Sequence, residues 1–183
     1  ADVEPGSPKA AEVKRILQDK GLWSQYLEVG IGPDAEVFTK APVLSSVGYG
    51  AEIGILPKSE WNNPEPEVVL AVNSHGVIVG ATLGNDVNLR DVEGRSALLL
   101  GKAKDNNASS AIGPFIRLFD EGFTLNDVRA ADLTLVVEGA EDGYRLEGFS
   151  TMREISRDPA DLLRRSATIC ATRAPTSAAT TMT

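Results

Sequence analysis

Apolar residues recur with two different periods along the chain, and these periods predict its main elements. Between residues 7 and 20 they follow the period of an amphipathic helix, with Ser7 as the N-cap and Pro8 in the first turn. Residues 67–73 and 77–83 are instead rich in β-branched side chains and are separated by a short turn. This second pattern predicts an antiparallel β-hairpin.

Weaker patterns predict the rest of the secondary structure. Residues 21–35 and 41–66 are rich in glycine and proline, which favours irregular loops. The other expected elements are a short strand over 36–39, a helix within 91–100, strands over 133–138 and 144–150, and a last helix that starts at Asp158. Together these elements predict a mainly β protein of the α+β class.

Composition and charge exclude several classes of function. The chain has 183 residues and a net charge of −8, which opposes binding to nucleic acid or to an anionic membrane. Its one cysteine, Cys170, excludes an intramolecular disulfide and a cysteine-based zinc site, and no apolar run is long enough for a membrane span. We therefore expect a cytoplasmic protein.

The histidine content limits which side chains could catalyse a reaction. The single histidine, His75, lies in the predicted hairpin turn and is expected to be exposed. Any catalysis in this chain must therefore depend on carboxylates, lysines and hydroxyl groups.

The C-terminal segment differs in composition from the rest. Residues 166–183 consist mainly of Ser, Thr and Ala and have no acidic side chain, which predicts a disordered or non-native tail. We therefore expect an N-terminal helix and lead-in over 1–27, a catalytic domain over 28–165 and this tail.

Three carboxylates flank the predicted hairpin. Glu65 and Glu67 precede its first strand with Pro66 between them, and Asp86 follows its second strand. An antiparallel reversal brings the start of one strand beside the end of the other, so these side chains are expected to meet. Hard oxygen ligands of this kind suit Mg²⁺, Mn²⁺ or Ca²⁺. The alternative is an acidic hairpin end that is simply solvated.

The same region resembles the fumarylacetoacetate hydrolase family. The resemblance is carried by an ordered set of motifs over residues 65–114: Glu65-Pro66-Glu67, then Asn85-Asp86-Val87-Asn88-Leu89-Arg90-Asp91, then Ala103-Lys104, then Gly113-Pro114. One motif alone would be weak evidence for the resemblance, whereas the ordered set of motifs is specific to the family. The resemblance includes the branch of the family that dehydrates 2-keto-3-deoxy sugar acids.

The resemblance implies a fold, a cofactor and a set of site residues. The expected fold is a rolled mixed β-sheet with a few short helices, in a homodimer. Glu65, Glu67 and Asp86 would ligate Mg²⁺ or Mn²⁺. Lys104 would be the active-site lysine, and Glu36 falls where relatives carry a further acidic active-site residue.

The resemblance also implies a short 2-oxo acid as the substrate, and it leaves three alternatives. The first, which is the expected reaction, is hydrolytic C–C cleavage of a 2,4-dioxo acid. The second is dehydration of a 2-keto-3-deoxy sugar acid, since the chain has no histidine upstream of the carboxylates. The third is a truncated, inactive chain that binds metal, because family domains normally continue beyond the point where the Ser/Thr/Ala-rich tail begins.

Overall fold

The chain folds into two compact units. The computed structural model describes residues 3–42 and 44–170. One unit combines the chain up to Glu36 with Asn126–Ile169, and the other is formed mainly by Val37–Leu125. The N-terminal helix thus shares a unit with the C-terminal elements, and the predicted boundaries after residues 27 and 165 stay predictions.

Short helices and short strands alternate over the described ranges. The helices are α1 (Pro8–Asp19), α2 (Gln25–Ile31), α3 (Arg90–Glu93), α4 (Leu100–Lys104), α5 (Leu125–Arg129) and α6 (Pro159–Cys170). The strands are β1 (Asn62–Asn63), β2 (Pro66–Val72), β3 (Ile78–Asp86), β4 (Asn88–Leu89), β5 (Ser110–Leu118), β6 (Asp132–Glu138) and β7 (Arg145–Thr151). None of the helices in these ranges is long and apolar enough to cross a bilayer. The predicted α+β class is confirmed.

The predicted hairpin organises the second unit. β2 pairs antiparallel with β3, and β3 pairs on its other side with β5, so β2 is an edge strand that begins at Pro66. An edge is where a proline, which has no N–H to donate, is tolerated in a sheet. His75 lies in the turn between β2 and β3 and is exposed, as predicted.

A small buried core fixes the segment that follows the hairpin. Leu89, Val92 and Ala103 pack together, and Leu56 and Leu99 cover them. The predicted helix within 91–100 is interrupted, because α3 ends at Glu93 and a 3₁₀ turn over Ala97–Leu99 precedes α4. This core holds α4 against β4, and α4 ends at Lys104.

Two local predictions, the loop over 21–35 and the strand over 36–39, were wrong. Residues 21–35 contain α2, because Ser24 caps a helix there by accepting a hydrogen bond from Leu27 N. Residues 36–39 form no strand. The irregular character predicted for 41–66 holds, apart from the short strand β1 and the start of β2.

The first unit contains the other predicted elements. Ser7 caps α1 by accepting from Ala10 N, and β6 pairs antiparallel with β7. Helix α6 continues to Cys170, so residues 166–170 of the expected tail are helical, and residues 171–183 lie outside the described part of the chain.

Two glycines provide a test of backbone packing. A Cβ on Gly80 in β3 would lie 2.5 Å from Arg117 O of the paired strand, whereas a Cβ on Gly30 in α2 would meet nothing within 4 Å. We expect Gly80→Ala to lower the free energy of unfolding by about 1–3 kcal/mol. We expect Gly30→Ala to leave it unchanged or to raise it by up to about 1 kcal/mol. Urea denaturation measures both, and equal effects would contradict the β3–β5 packing.

Candidate metal centre

Three acidic side chains meet at one end of the β2–β3 hairpin. Asp86 N donates to Glu65 O at 2.9 Å, which fixes the end of β3 beside the residue that precedes β2. Glu65, Glu67 and Asp86 each offer a carboxylate oxygen, and these oxygens all lie within 4.8 Å of one another. The convergence expected from the hairpin is therefore the observed geometry, while the role of these residues as metal ligands stays a prediction.

Burial makes this acidic cluster different from a solvated hairpin end. Asp86 is buried, and Glu67 Oε2 is a buried atom without a hydrogen-bond partner among the described residues. Burial, together with the negative charge of Asp86, raises the pKa of Glu67 to about 8. A buried carboxylate without a donor needs either a proton or a cation.

Two amide side chains contact the cluster through their nitrogens. Asn88 Nδ2 donates to Glu65 Oε1 at 3.0 Å and to Glu93 Oε2 at 2.7 Å, which orients the Glu65 carboxylate. The amide oxygens of Asn63 and Asn88 are also buried without a hydrogen-bond partner in the described ranges. The donor set consists of the carboxylate oxygens of Glu65, Glu67 and Asp86, which are ligands that Mg²⁺, Mn²⁺ and Ca²⁺ take, so it fits a divalent cation.

Lys104 places its ammonium group against the same carboxylates. Its Nζ contacts Glu65 Oε2 and lies 3.0 Å from Asp86 Oδ2, with the ring of Phe38 at 5.7 Å. Burial opposes the charged form of Lys104, but the hydrogen bonds and charges of Glu65 and Asp86 outweigh it and raise its pKa. Lys102, two residues earlier, is exposed. The burial of Lys104 distinguishes it from a solvated surface lysine.

Lys40 is a second buried lysine at the cluster, and the sequence analysis missed it. Its side chain is 0% exposed, and its Nζ lies 2.8 Å from Asp86 Oδ1. Burial lowers the pKa of Lys40, against the opposing effect of Asp86. No local sequence pattern distinguishes Lys40 from a solvated lysine.

Three further residues of the recognised region are Glu36, Arg90 and Asp91. Glu36 lies in the first unit, in a stretch without regular secondary structure, and its catalytic role stays a prediction. Arg90 ion-pairs with Glu93 at 2.5 Å. Asp91 accepts hydrogen bonds from Ser59 Oγ and Glu60 N, which lower its pKa. Both side chains thus brace the loop after β4.

The chain is similar in sequence to two sugar acid dehydratases. The chain is 36% identical over 102 residues to a 2-dehydro-3-deoxy-D-arabinonate dehydratase of Saccharolobus solfataricus. It is 37% identical over 99 residues to a probable 2-keto-3-deoxyxylonate dehydratase of Haloferax volcanii. The matches cover 56% and 54% of this chain, but 33% and 34% of those proteins. The chain thus spans about a third of the length of these relatives.

A solved structure shows the same relationship at the level of the fold. A 2-keto-3-deoxy-D-arabinonate dehydratase complexed with magnesium and 2,5-dioxopentanoate superposes with a TM-score of 0.64 and 29% identity, over 74% of this chain and 46% of that one. No protein-family model matches the chain. The predicted resemblance and fold are nevertheless confirmed by these relatives, which are enzymes. The chain is thus similar in sequence and in fold to 2-keto-3-deoxy sugar acid dehydratases, the branch of the fumarylacetoacetate hydrolase family that its motifs resemble.

Proposed function

We propose that this chain carries the metal centre of a divalent-metal-dependent dehydratase acting on a 2-keto-3-deoxy sugar acid. The observation that carries the reaction class is the similarity to two such dehydratases. The acidic cluster with its buried, unpaired Glu67 oxygen supports the metal, and the solved relative carries magnesium. Dehydration fits this similarity better than C–C hydrolysis does, which reverses the order expected from the sequence.

The proposed ligands of the Mg²⁺ or Mn²⁺ ion are Glu65, Glu67 and Asp86. When bound, the ion supplies Lewis acidity toward the carboxylate and keto oxygens of a 2-oxo acid. The Asn88 amide keeps Glu65 oriented toward the cluster. The burial of Asp86 keeps water from competing for its carboxylate.

Lys104 is the proposed active-site lysine. Its ammonium lies 3.0 Å from Asp86 Oδ2, and its raised pKa keeps it charged. From this position it can stabilise negative charge that develops on the substrate, or donate a proton to the departing hydroxyl group. In the dehydration, a base removes a proton from C3 and the C4 hydroxyl leaves as water, so every carbon is retained. Glu36 is the residue proposed as that base.

The test is a direct comparison of two substrates. The purified protein with Mg²⁺ or Mn²⁺ is incubated with a 2-keto-3-deoxypentonate and, separately, with a 2,4-dioxo acid. We expect mass spectrometry to find a product of the first that has lost one water and kept all its carbons. Chelation should abolish this product and added metal should restore it.

Two other outcomes of this experiment would support C–C hydrolysis or an inactive metal-binding chain. Metal-dependent release of pyruvate from the 2,4-dioxo acid would support hydrolysis instead. Metal binding without turnover of either substrate would identify the chain as an inactive metal-binding segment, an alternative that its coverage of about a third of the relatives keeps relevant.

The proposal includes the assembly expected from the resemblance and the location expected from the composition. The proposed partner is a small 2-oxo acid, and the proposed form is a cytoplasmic homodimer. Light scattering after size-exclusion chromatography measures the mass of the assembly against the 19.4 kDa of one chain.

A further inference from the structure

Lys40 lies where three backbone segments and one carboxylate meet. Its Nζ donates to Val87 O at 2.7 Å, to Lys104 O at 2.6 Å and to Ser109 Oγ at 3.2 Å. The same atom lies 2.8 Å from Asp86 Oδ1, and the side chain is 0% exposed. The ammonium group therefore has oxygen partners on all sides and no access to solvent.

These contacts join the parts of the unit that carry the acidic cluster. Val87 directly follows β3, Lys104 ends α4, and Ser109 directly precedes β5. Two of the acceptors are backbone carbonyls, whose positions are set by secondary structure rather than by rotamers. Lys40 is thus tied to the backbone on one side and faces the Asp86 carboxylate on the other.

We propose that Lys40 is a positioning residue of the metal centre. It holds the Asp86 carboxylate and the end of α4, which carries Lys104, in the arrangement that accepts a divalent cation. This inference rests on the proposed metal site, but it is independent of which reaction the centre performs. Lys40 faces protein oxygens and is not assigned any contact with substrate.

Simple charge repulsion and a positioning role predict opposite effects on metal affinity when Lys40 is replaced. A lysine beside a cation site repels the cation, so removing its charge should tighten binding. A positioning role predicts weaker binding, because Asp86 loses the group that orients it, and the carbonyls of Val87 and Lys104 each lose a hydrogen bond from Lys40. The direction of the change therefore distinguishes the two roles.

The experiment measures Mn²⁺ binding to the full chain by calorimetry for Lys40→Met and for Lys102→Met. The two variants lose the same charge, but Lys102 is exposed on α4. We expect Lys40→Met to weaken Mn²⁺ binding by about 10–100-fold, as for other groups that orient a metal ligand. We expect Lys102→Met to leave it unchanged. Unchanged or tighter binding by folded Lys40→Met would overturn the proposal.

A second variant covers the case in which Lys40→Met does not fold. Ser109→Ala removes one hydrogen-bond partner of Lys40, together with the Ser109 Oγ contacts to the carbonyls of Lys104 and Asn106, and leaves every charge in place. We expect it to weaken Mn²⁺ binding by a smaller factor, and unchanged affinity would count against the proposal. A wild-type chain that binds Mn²⁺ but dehydrates nothing would refute the proposed function and leave this inference standing. A wild-type chain that binds no metal would overturn both.

Discussion

Replacing Glu67 by Gln is expected to abolish metal binding and, with it, dehydration. The substitution keeps the size of the side chain but removes a buried anionic oxygen from a cluster of three carboxylates. Since a neutral amide is a much poorer ligand for a hard divalent cation, we expect Mn²⁺ affinity to fall by at least about 100-fold. Calorimetric titration with Mn²⁺ measures the affinity, and the 2-keto-3-deoxypentonate assay measures turnover.

Glu60→Gln is the matched control. Glu60 belongs to the same unit and is exposed, and the substitution replaces the same carboxyl group by the same amide. We expect it to keep both the Mn²⁺ affinity and the activity. Wild-type affinity in a folded Glu67→Gln protein, checked by circular dichroism, would remove Glu67 from the proposed ligand set.

The carboxylate cluster could be predicted because the signals that form it are local. Strand-forming runs on both sides of one turn define the hairpin, and the hairpin alone decides that its two ends meet. Glu65, Glu67 and Asp86 lie at those ends, so their convergence follows from the register. The prediction therefore needed no information about the rest of the fold.

The groups that complete the site could not be predicted in the same way. Lys40 reaches Val87 and Lys104 across 47 and 64 residues of sequence, and only the folded chain brings these segments together. A lone lysine in a charged sequence is normally solvated, so burial was not expected. Asn88 lay within the recognised motif, but its hydrogen bonds to Glu65 and Glu93 depend on the same tertiary packing.

Strand β5 also could not be predicted from its local sequence. Residues 110–118 contain Gly113 and Pro114, which weaken the local strand signal. The strand forms because one edge of β3 is available for pairing and the backbone of β5 can satisfy its hydrogen bonds there. Tertiary pairing thus overrides local propensity at the strand that completes this sheet.

Metal binding is expected to depend strongly on pH because the cation must displace a proton. In the metal-free protein, burial and the charge of Asp86 raise the pKa of Glu67 from 4.5 to about 8, and the nearby Lys104 and Lys40 oppose this only in part. Below that value a proton occupies the site that the cation needs. The apparent Mn²⁺ affinity should therefore rise about tenfold per pH unit up to about pH 8 and then level off. Calorimetry in two buffers with different ionisation enthalpies should find about one proton released per ion below pH 8 and almost none well above it.

The same protonation has a consequence for the stability of the metal-free chain. Between pH 4.5 and about 8, folded Glu67 keeps a proton that the unfolded chain has lost. The folded state binds more protons, so the free energy of unfolding should fall as the pH rises through this window. Mn²⁺ should offset this loss of stability most near the upper end of the pH window. Glu67→Gln has no proton to lose at this position, so its free energy of unfolding should fall less. Urea denaturation across the window measures this, and a wild-type curve no steeper than that of the variant would contradict the raised pKa.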